Sequence, residues 1–124
     1  MYSEALISRF LSASHAGEVE QVSAMGTEGN PTCGDVVQIS LDMRGGVIED
    51  ARFKTLGCAI AIAVSDVLCE LATGLTQTQA RTIDMARVRA VIGEVPETRE
   101  HCAQAPLDAF FDALMKAGSD QVQG

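Results

Sequence analysis

A regular alternation of apolar and polar residues over positions 36–43 limits the folds open to this chain more than any other feature. Apolar side chains occupy the odd positions from 37 to 43, and glutamine, serine and aspartate stand between them. This period of two places the apolar side chains on one face of an extended strand. Arg44, Gly45 and Gly46 then favour a turn, and Val47–Thr55 returns with apolar residues on one face. The pattern predicts an antiparallel hairpin with one buried face.

Most of the remaining chain carries helical patterns, and Ser12–Asn30 is predicted to be a linker or an irregular strand. Capping residues and helical spacing define the helices. The last helix can accept Pro106 only in its first turn, where amide hydrogens have no helical partner. The predicted helices are a first one capped by Ser3; a buried one from about Cys58 to Thr73, ended by Gly74; a short one with a Thr76–Gln79 capping box; Met85–Ile92, capped by Asp84; and a last one from about Cys102 to Ala117.

The composition is that of one aromatic-poor globular domain. The chain has 124 residues, 47% of them hydrophobic, with four Phe, one Tyr and no Trp. We expect a single domain over residues 1–124, with 118–124 as a frayed tail. The apolar run Leu56–Val64 is much shorter than the ~20 residues that span a bilayer, and the start of the chain lacks the pattern of a secretory signal. A soluble, cytoplasmic protein with no membrane partner is therefore expected.

The charge balance argues against nucleic acid as a partner. Seventeen acidic residues against nine basic ones give a formal net charge of −8. Such a surface repels a phosphate backbone. Electrostatic attraction is therefore expected only towards a basic patch on another protein.

Four cysteines, Cys33, Cys58, Cys69 and Cys102, carry the candidate chemistry. In a cytosolic chain they are expected to be thiols or metal ligands rather than disulfides. The absence of a C-x-x-C pair argues against a zinc ribbon or a thioredoxin-like redox site. Cys33 precedes the first hairpin strand, while Cys58 and Cys102 lie near predicted helix starts, where the helix dipole favours thiolate. All three are predicted to be accessible at the boundaries of elements.

Two other side chains could complete a site with these thiols. Asp35 stands two residues after Cys33, and His101 directly precedes Cys102. Soft thiolates suit iron–sulfur clusters or zinc, and a carboxylate or an imidazole can be a fourth ligand. Taken singly, Asp35 could equally be a turn residue before a strand, and His101 a solvated residue near a helix start.

Cys69 is expected to lie outside any such site. It follows Cys58 by eleven residues on the same predicted helix, which displaces it by roughly 16 Å along the axis. Metal–sulfur bonds are about 2.3 Å long, so one compact centre cannot hold both thiolates. We interpret Cys69 as a core thiol, because free cysteine behaves as a small buried apolar residue.

Three ordered segments carry a family resemblance: Gly29–Asp35, Ile48–Cys58 and His101–Cys102. They resemble the signature segments of iron–sulfur cluster assembly scaffolds of the IscU/NifU N-terminal type. The resemblance runs from about residue 1 to 117, and its opening Met-Tyr-Ser-Glu also matches. It implies an α+β fold, a small α/β domain in which an antiparallel three-stranded sheet is packed by helices.

The resemblance also implies a function. In that family a cysteine desulfurase passes sulfur as a persulfide to a scaffold cysteine, iron enters, and a [2Fe–2S] cluster forms and is passed to apo iron–sulfur proteins. The scaffold need not be an enzyme, and an iron donor is a further candidate partner. Cys33, Cys58 and Cys102 match the family's cysteine positions, Asp35 its acidic residue and His101 its histidine. A carboxylate or imidazole in place of a fourth thiolate should make the cluster labile, which suits a donor.

Two other functions stay open from the sequence. In a zinc-dependent sulfurtransferase of the related branch, Cys33, Asp35, Cys58 and Cys102 would hold zinc while one cysteine accepts persulfide. That branch usually carries an insertion between its second and third cysteines, and the short spacing here resembles the scaffold instead. The other alternative is a purely structural zinc domain. Because thiolates accept both metals, zinc could also occupy the purified scaffold.

Overall fold

The alternating segment forms the centre of a sheet in the computed structural model, which describes residues 3–30 and 35–123. Helices pack on the buried face of this sheet. The elements, in chain order, are α1 (Glu4–Ser12), β1 (Ala24–Asn30), β2 (Asp35–Arg44), β3 (Val47–Leu56), α2 (Ala59–Ala72), α3 (Gln77–Ala80), α4 (Met85–Ile92), a 3-10 turn (Glu97–Arg99) and α5 (Glu100–Gln123).

The predicted hairpin is confirmed, and it lies within a three-stranded antiparallel sheet of order β1-β2-β3. Ile39 pairs with Phe53, and Val36 pairs with Leu56 at the far end from the turn. Val37, Ile39 and Leu41 of β2 are completely buried, as the alternation requires, while Met43, at a shift in the strand register, is half-buried. The α+β fold with a three-stranded antiparallel sheet, implied by the family resemblance, is also confirmed.

The sequence predicts a linker or an irregular strand over Ser12–Asn30, and the structure forms the regular strand β1 at its end, packed against α5 far along the chain. A Cβ atom placed on Gly26 would lie 2.0 Å from the carbonyl oxygen of Ala109 and 2.5 Å from the amide nitrogen of Ala113. The backbone of β1 therefore lies directly on α5, and only glycine fits at this position. Close packing of two backbones requires small residues, and these leave no clear alternation in the sequence.

The capping predictions are confirmed in detail. The Thr76 hydroxyl accepts from the Gln79 amide at 3.1 Å, and the Gln79 side chain accepts from the Thr76 amide at 3.0 Å. Asp84 accepts from the Arg87 amide at 3.0 Å. Within the described ranges, no helix is both long and apolar enough to cross a membrane.

The predicted start of the last helix is wrong. Helix α5 begins at Glu100, so Pro106 lies in its second turn rather than its first. Two local features explain the earlier start: the 3-10 turn leads directly into α5, and Arg89 donates to the Glu100 carboxylate at 2.7 Å. A carboxylate in the first turn also interacts favourably with the helix dipole. The helix continues to Gln123, beyond its predicted end near Ala117.

The connection from α1 to β1 passes around the edge of β3 and over the outer face of the sheet. The Phe53 amide donates to the His15 carbonyl at 3.0 Å, and the Gly17 amide donates to the Phe53 carbonyl at 2.7 Å. Farther along, the amide of the buried Val19 donates to the Ser40 hydroxyl at 3.1 Å. We call residues 13–23 the strap.

Candidate cysteine site

The sheet and α2 bring two of the predicted site residues to one end of the molecule. Strand β2 begins at Asp35 and β3 ends at Leu56, and the pairing of Val36 with Leu56 places these strand ends side by side. Cys58 follows Leu56 by two residues, so it leaves the sheet at the same end. Cys33 lies outside the described residues, but only two positions separate it from Asp35. We call this end of the molecule the tip.

Cys58 is the N-cap residue of α2. Its backbone is extended, with φ −82° and ψ 171°, and its side chain makes no capping hydrogen bond to the first amides of the helix. The Cys58 carbonyl accepts from the Ile62 amide at 3.2 Å and so begins the helical hydrogen bonds. The half-buried thiol stands at the positive end of the α2 dipole, which favours a bound anion or a thiolate ligand.

Cys102 does not have the surroundings that the sequence predicted. It is completely buried, whereas His101 beside it is exposed. The expectation of an accessible Cys102 is wrong. Helix α5 begins two residues before Cys102, so Cys102 is a residue of the helix and its side chain packs against the core. Cys58 packs against the same hydrophobic cluster.

No three His, Cys, Asp or Glu side chains come close enough to hold a metal ion in the described parts of the chain. Those parts do not include Cys33. A site built from Cys33, Cys58 and Cys102, with Asp35 or His101, therefore stays a prediction.

Cys69 is a core residue, as predicted. Its side chain is completely buried in α2. Burial raises the pKa of the Cys69 thiol strongly, and the nearby carboxylates of Asp66 and Asp50 raise it further. A neutral thiol in these surroundings is a poor ligand and a poor nucleophile.

Sequence reasoning missed an apolar surface beside Cys58. Leu56 is 76% exposed and Val36 is 44% exposed, and the two are cross-strand neighbours. They line a cavity of about 320 Å³ together with residues from all three strands: Thr27, Gln38, Lys54 and Thr55. The end of β3 did carry a signal, because Leu56 stands two residues after the exposed Lys54, where the alternation predicts a polar residue. Exposed apolar neighbours of this kind are typical of contact surfaces.

Sequence reasoning also missed a buried charge on α2. The Asp66 carboxylate is completely buried and accepts from the His15 amide at 2.8 Å and from Arg9 Nη1 at 3.2 Å. Arg9 also donates to Glu70 at 2.7 Å, and this hydrogen bond lowers the pKa of Glu70. The only signal in the sequence was a pair of carboxylates one turn apart on an otherwise apolar helix.

Comparison with known proteins identifies the family. A family model described as the NifU-like N-terminal domain matches residues 1–122. The chain belongs to this family. The protein is 36% identical to the "Iron-sulfur cluster assembly scaffold protein IscU 1" of Archaeoglobus fulgidus over 93% of this chain and 75% of that protein. It is 32% identical to the scaffold protein IscU of Haemophilus influenzae, over 91% of this chain and 92% of that one.

Solved structures have the same fold. A crystal structure described as a putative scaffold protein for the SUF system, from Fervidobacterium islandicum, matches with a TM-score of 0.77 at 24% identity, covering 91% of this chain and 96% of that chain. The N-terminal part of a NifU-like protein from Brucella abortus also matches with a TM-score of 0.77, at 21% identity over 94% of both chains. At these identities the likeness concerns the fold.

Proposed function

We propose that this family member is a scaffold on which an iron–sulfur cluster is assembled and from which it is transferred to apo-proteins. The observation that carries the proposal is the convergence of Asp35 and Cys58 at the tip of a NifU-like domain. Relatives with about one third identity are named as cluster assembly scaffolds.

The proposed cargo is a [2Fe–2S] cluster held by Cys33, Cys58 and Cys102. Thiolates are the usual protein ligands of such clusters. Asp35 or His101 supplies the fourth ligand, and a hard carboxylate oxygen matches a sulfide cluster poorly. A cluster bound in this way is easily released, which is what a donor requires.

Sulfur arrives from a cysteine desulfurase as a persulfide. A thiolate of the scaffold attacks the outer sulfur of that persulfide, the original S–S bond breaks, and the desulfurase cysteine leaves as a thiolate. An external electron donor, such as a reduced ferredoxin or a dithiol, then supplies the two electrons that convert the transferred sulfur to sulfide. The scaffold binds and passes on its cargo, so we do not class it as an enzyme.

The reconstitution test uses the full chain under anaerobic conditions with ferrous iron, cysteine, a cysteine desulfurase and dithiothreitol. We expect a visible spectrum typical of [2Fe–2S], with two irons and two sulfides per cluster. Cys33→Ala, Cys58→Ala and Cys102→Ala should each abolish or strongly reduce it. Cys69→Ala is the matched control and should retain the spectrum, because Cys69 is a core thiol of high pKa.

Two results would contradict the proposal. One is the tight uptake of one zinc ion with no cluster formation, which would point to the zinc-dependent sulfurtransferase or a structural zinc domain. The other is loss of the cluster in Cys69→Ala with an unchanged circular dichroism spectrum, which would show that the ligands are assigned wrongly.

A further inference from the structure

We propose that the buried carboxylate of Asp66 is a positioning group for Cys58, because it ties together the strand that precedes this cysteine and the helix that follows it. The relevance of this role to cluster binding rests on the proposed function. The positioning itself is a property of the apo-protein.

The negative charge of Asp66 lies in the protein interior. Asp66 is completely buried within α2. A buried carboxylate is tolerated only when hydrogen-bond donors compensate for the loss of water. Asp66 has such donors from two segments: the His15 amide at 2.8 Å, with the His15 ring nitrogen Nδ1 at 3.3 Å, and Arg9 Nη1 at 3.2 Å. Helix α2 is thereby joined to α1 and to the strap.

The strap connects Asp66 to β3. The same His15 whose amide binds Asp66 accepts the Phe53 amide through its carbonyl at 3.0 Å, and Gly17 donates to the Phe53 carbonyl at 2.7 Å. Strand β3 is therefore held at Phe53 by a segment that Asp66 anchors. Leu56 then ends the strand, two residues before Cys58.

Helix α2 connects Asp66 to Cys58. Cys58 is the N-cap residue of α2, eight residues before Asp66, which is roughly 12 Å along the axis. The chain from Phe53 to Asp66 thus forms a loop that is closed at its base by Asp66 and carries Cys58 at its far end. Metal ligands must be held to within about 0.5 Å of a working geometry, and closing this loop limits the movement of Cys58.

A neighbouring carboxylate provides a matched control. Glu70 lies one turn after Asp66 and binds the same Arg9, at 2.7 and 3.4 Å. Its side chain is 51% exposed, and its hydrogen bonds in the described structure lead to Arg9 and not to the strap. Glu70→Gln therefore removes a charge of the same sign from the same cluster and leaves the loop closed.

The test measures how mobile the Cys58 segment is in the apo-protein. Asp66→Asn has nearly the same shape but loses the charge. We expect alkylation of Cys58 by iodoacetamide, followed by peptide mass spectrometry, to become about tenfold faster, as befits the loss of a buried charge-assisted hydrogen bond. Hydrogen exchange at the Phe53 and Gly17 amides should accelerate as well. In Glu70→Gln the rate of Cys58 alkylation should stay within about twofold of the wild-type rate, as expected for the loss of an exposed ion pair.

A second control separates positioning from general destabilisation. Val88→Ala truncates a completely buried side chain of α4, a helix without a cysteine. All variants are compared at a temperature at which thermal unfolding curves show each to be folded. If Asp66→Asn changes the Cys58 rate no more than Val88→Ala does at an equal loss of stability, Asp66 has only a structural role and the proposal is wrong. Should Asp66→Asn fail to fold, Arg9→Gln removes one of the two segments that hold Asp66 and should also accelerate Cys58 alkylation, whereas an unchanged rate would overturn the proposal.

The lifetime of the reconstituted cluster is a second, independent measurement. We expect a shorter cluster lifetime under air in Asp66→Asn than in Glu70→Gln or Val88→Ala. Failure of the wild-type chain to take up a cluster would defeat the proposed function but would leave the alkylation and exchange results on Asp66 intact.

Discussion

Cys58 and Cys69 belong to the same helical segment, but their surroundings give them different chemistry. Cys58 is half-buried at the N-terminus of α2, while Cys69 is completely buried near its end. Burial, with Asp66 and Asp50 nearby, raises the pKa of the Cys69 thiol. Only a thiolate attacks an alkylating reagent at a useful rate. One cysteine is therefore available for chemistry and the other is a packing residue.

We predict that Cys69 resists iodoacetamide at pH 8 as long as the chain is folded. Peptide mass spectrometry should find Cys58 modified first and Cys69 modified only after denaturant has unfolded the protein. Modification of Cys69 at a rate close to that of Cys58 in the native protein would show that the core around α2 opens easily.

At the scale of elements, β1 and α5 depend on each other. Gly26 lies against the backbone of α5, the Thr27 amide donates to Asp112 at 3.2 Å, and Lys116 donates to the Met25 carbonyl at 3.2 Å. These side-chain hydrogen bonds occupy backbone groups of β1 that would otherwise be open to another strand.

Gly26→Ala is predicted to destabilise the fold by about 3 kcal/mol, because the added methyl group meets backbone atoms that cannot move aside cheaply. Urea unfolding followed by circular dichroism measures the loss. Thr27→Ala, at the next and exposed position of β1, should cost less than about 1 kcal/mol. Equal losses in the two variants would contradict the packing argument.

Pro106 gives a prediction for α5. It lies inside the helix and cannot donate an amide hydrogen to the carbonyl of Cys102, four residues earlier. Pro106→Ala should supply that donor and make the first turns of α5 more stable, by up to about 3 kcal/mol. We expect a higher melting temperature and slower alkylation of the buried Cys102. Pro96→Ala, at the N-cap of the 3-10 turn that precedes α5, is the control and should leave the Cys102 alkylation rate unchanged, because Pro96 blocks no hydrogen bond of α5; faster Cys102 alkylation in Pro106→Ala would count against this view.

The elements that the sequence predicted well are those set by neighbouring residues. The β2–β3 hairpin follows from its alternation and its glycine turn, and the helix caps at Thr76 and Asp84 follow from hydrogen bonds within four residues. Strand β1 and the start of α5 depend on distant contacts, such as that between Gly26 and Ala109. For the same reason the burial of Cys102 and the partners of Asp66 could not be read from local patterns.

At the scale of the whole molecule, an acidic surface is combined with an exposed apolar tip. The net charge of −8 provides long-range attraction only towards a basic surface. Leu56 and Val36 at the tip offer apolar area to a partner that has arrived. Under the proposed function, that partner is the cysteine desulfurase.

Leu56→Ser is predicted to weaken binding to the desulfurase by about tenfold, because a buried leucine contributes about 1.5 kcal/mol or more to an interface. Leu11→Ser is the matched control: Leu11 is 74% exposed on α1, against 76% for Leu56. Titration calorimetry at low and at high salt measures the affinity of both variants for the desulfurase. Rising salt should weaken all complexes alike, while equal binding by Leu56→Ser and the wild type would place the interface elsewhere.

Segments near the start of the chain pack against segments near its end, and this affects folding during synthesis. The Ser3 hydroxyl donates to the Ile92 carbonyl, and β1 packs on α5. A ribosome adds about 5–20 residues per second, so about 4 to 16 seconds pass between the synthesis of α1 and that of α4. During that interval α1 can pack on α2 but not on α4, and the outer edge of β1 lacks its partner α5. Nascent chains of this protein are therefore expected to need protection from aggregation until α5 has been synthesised.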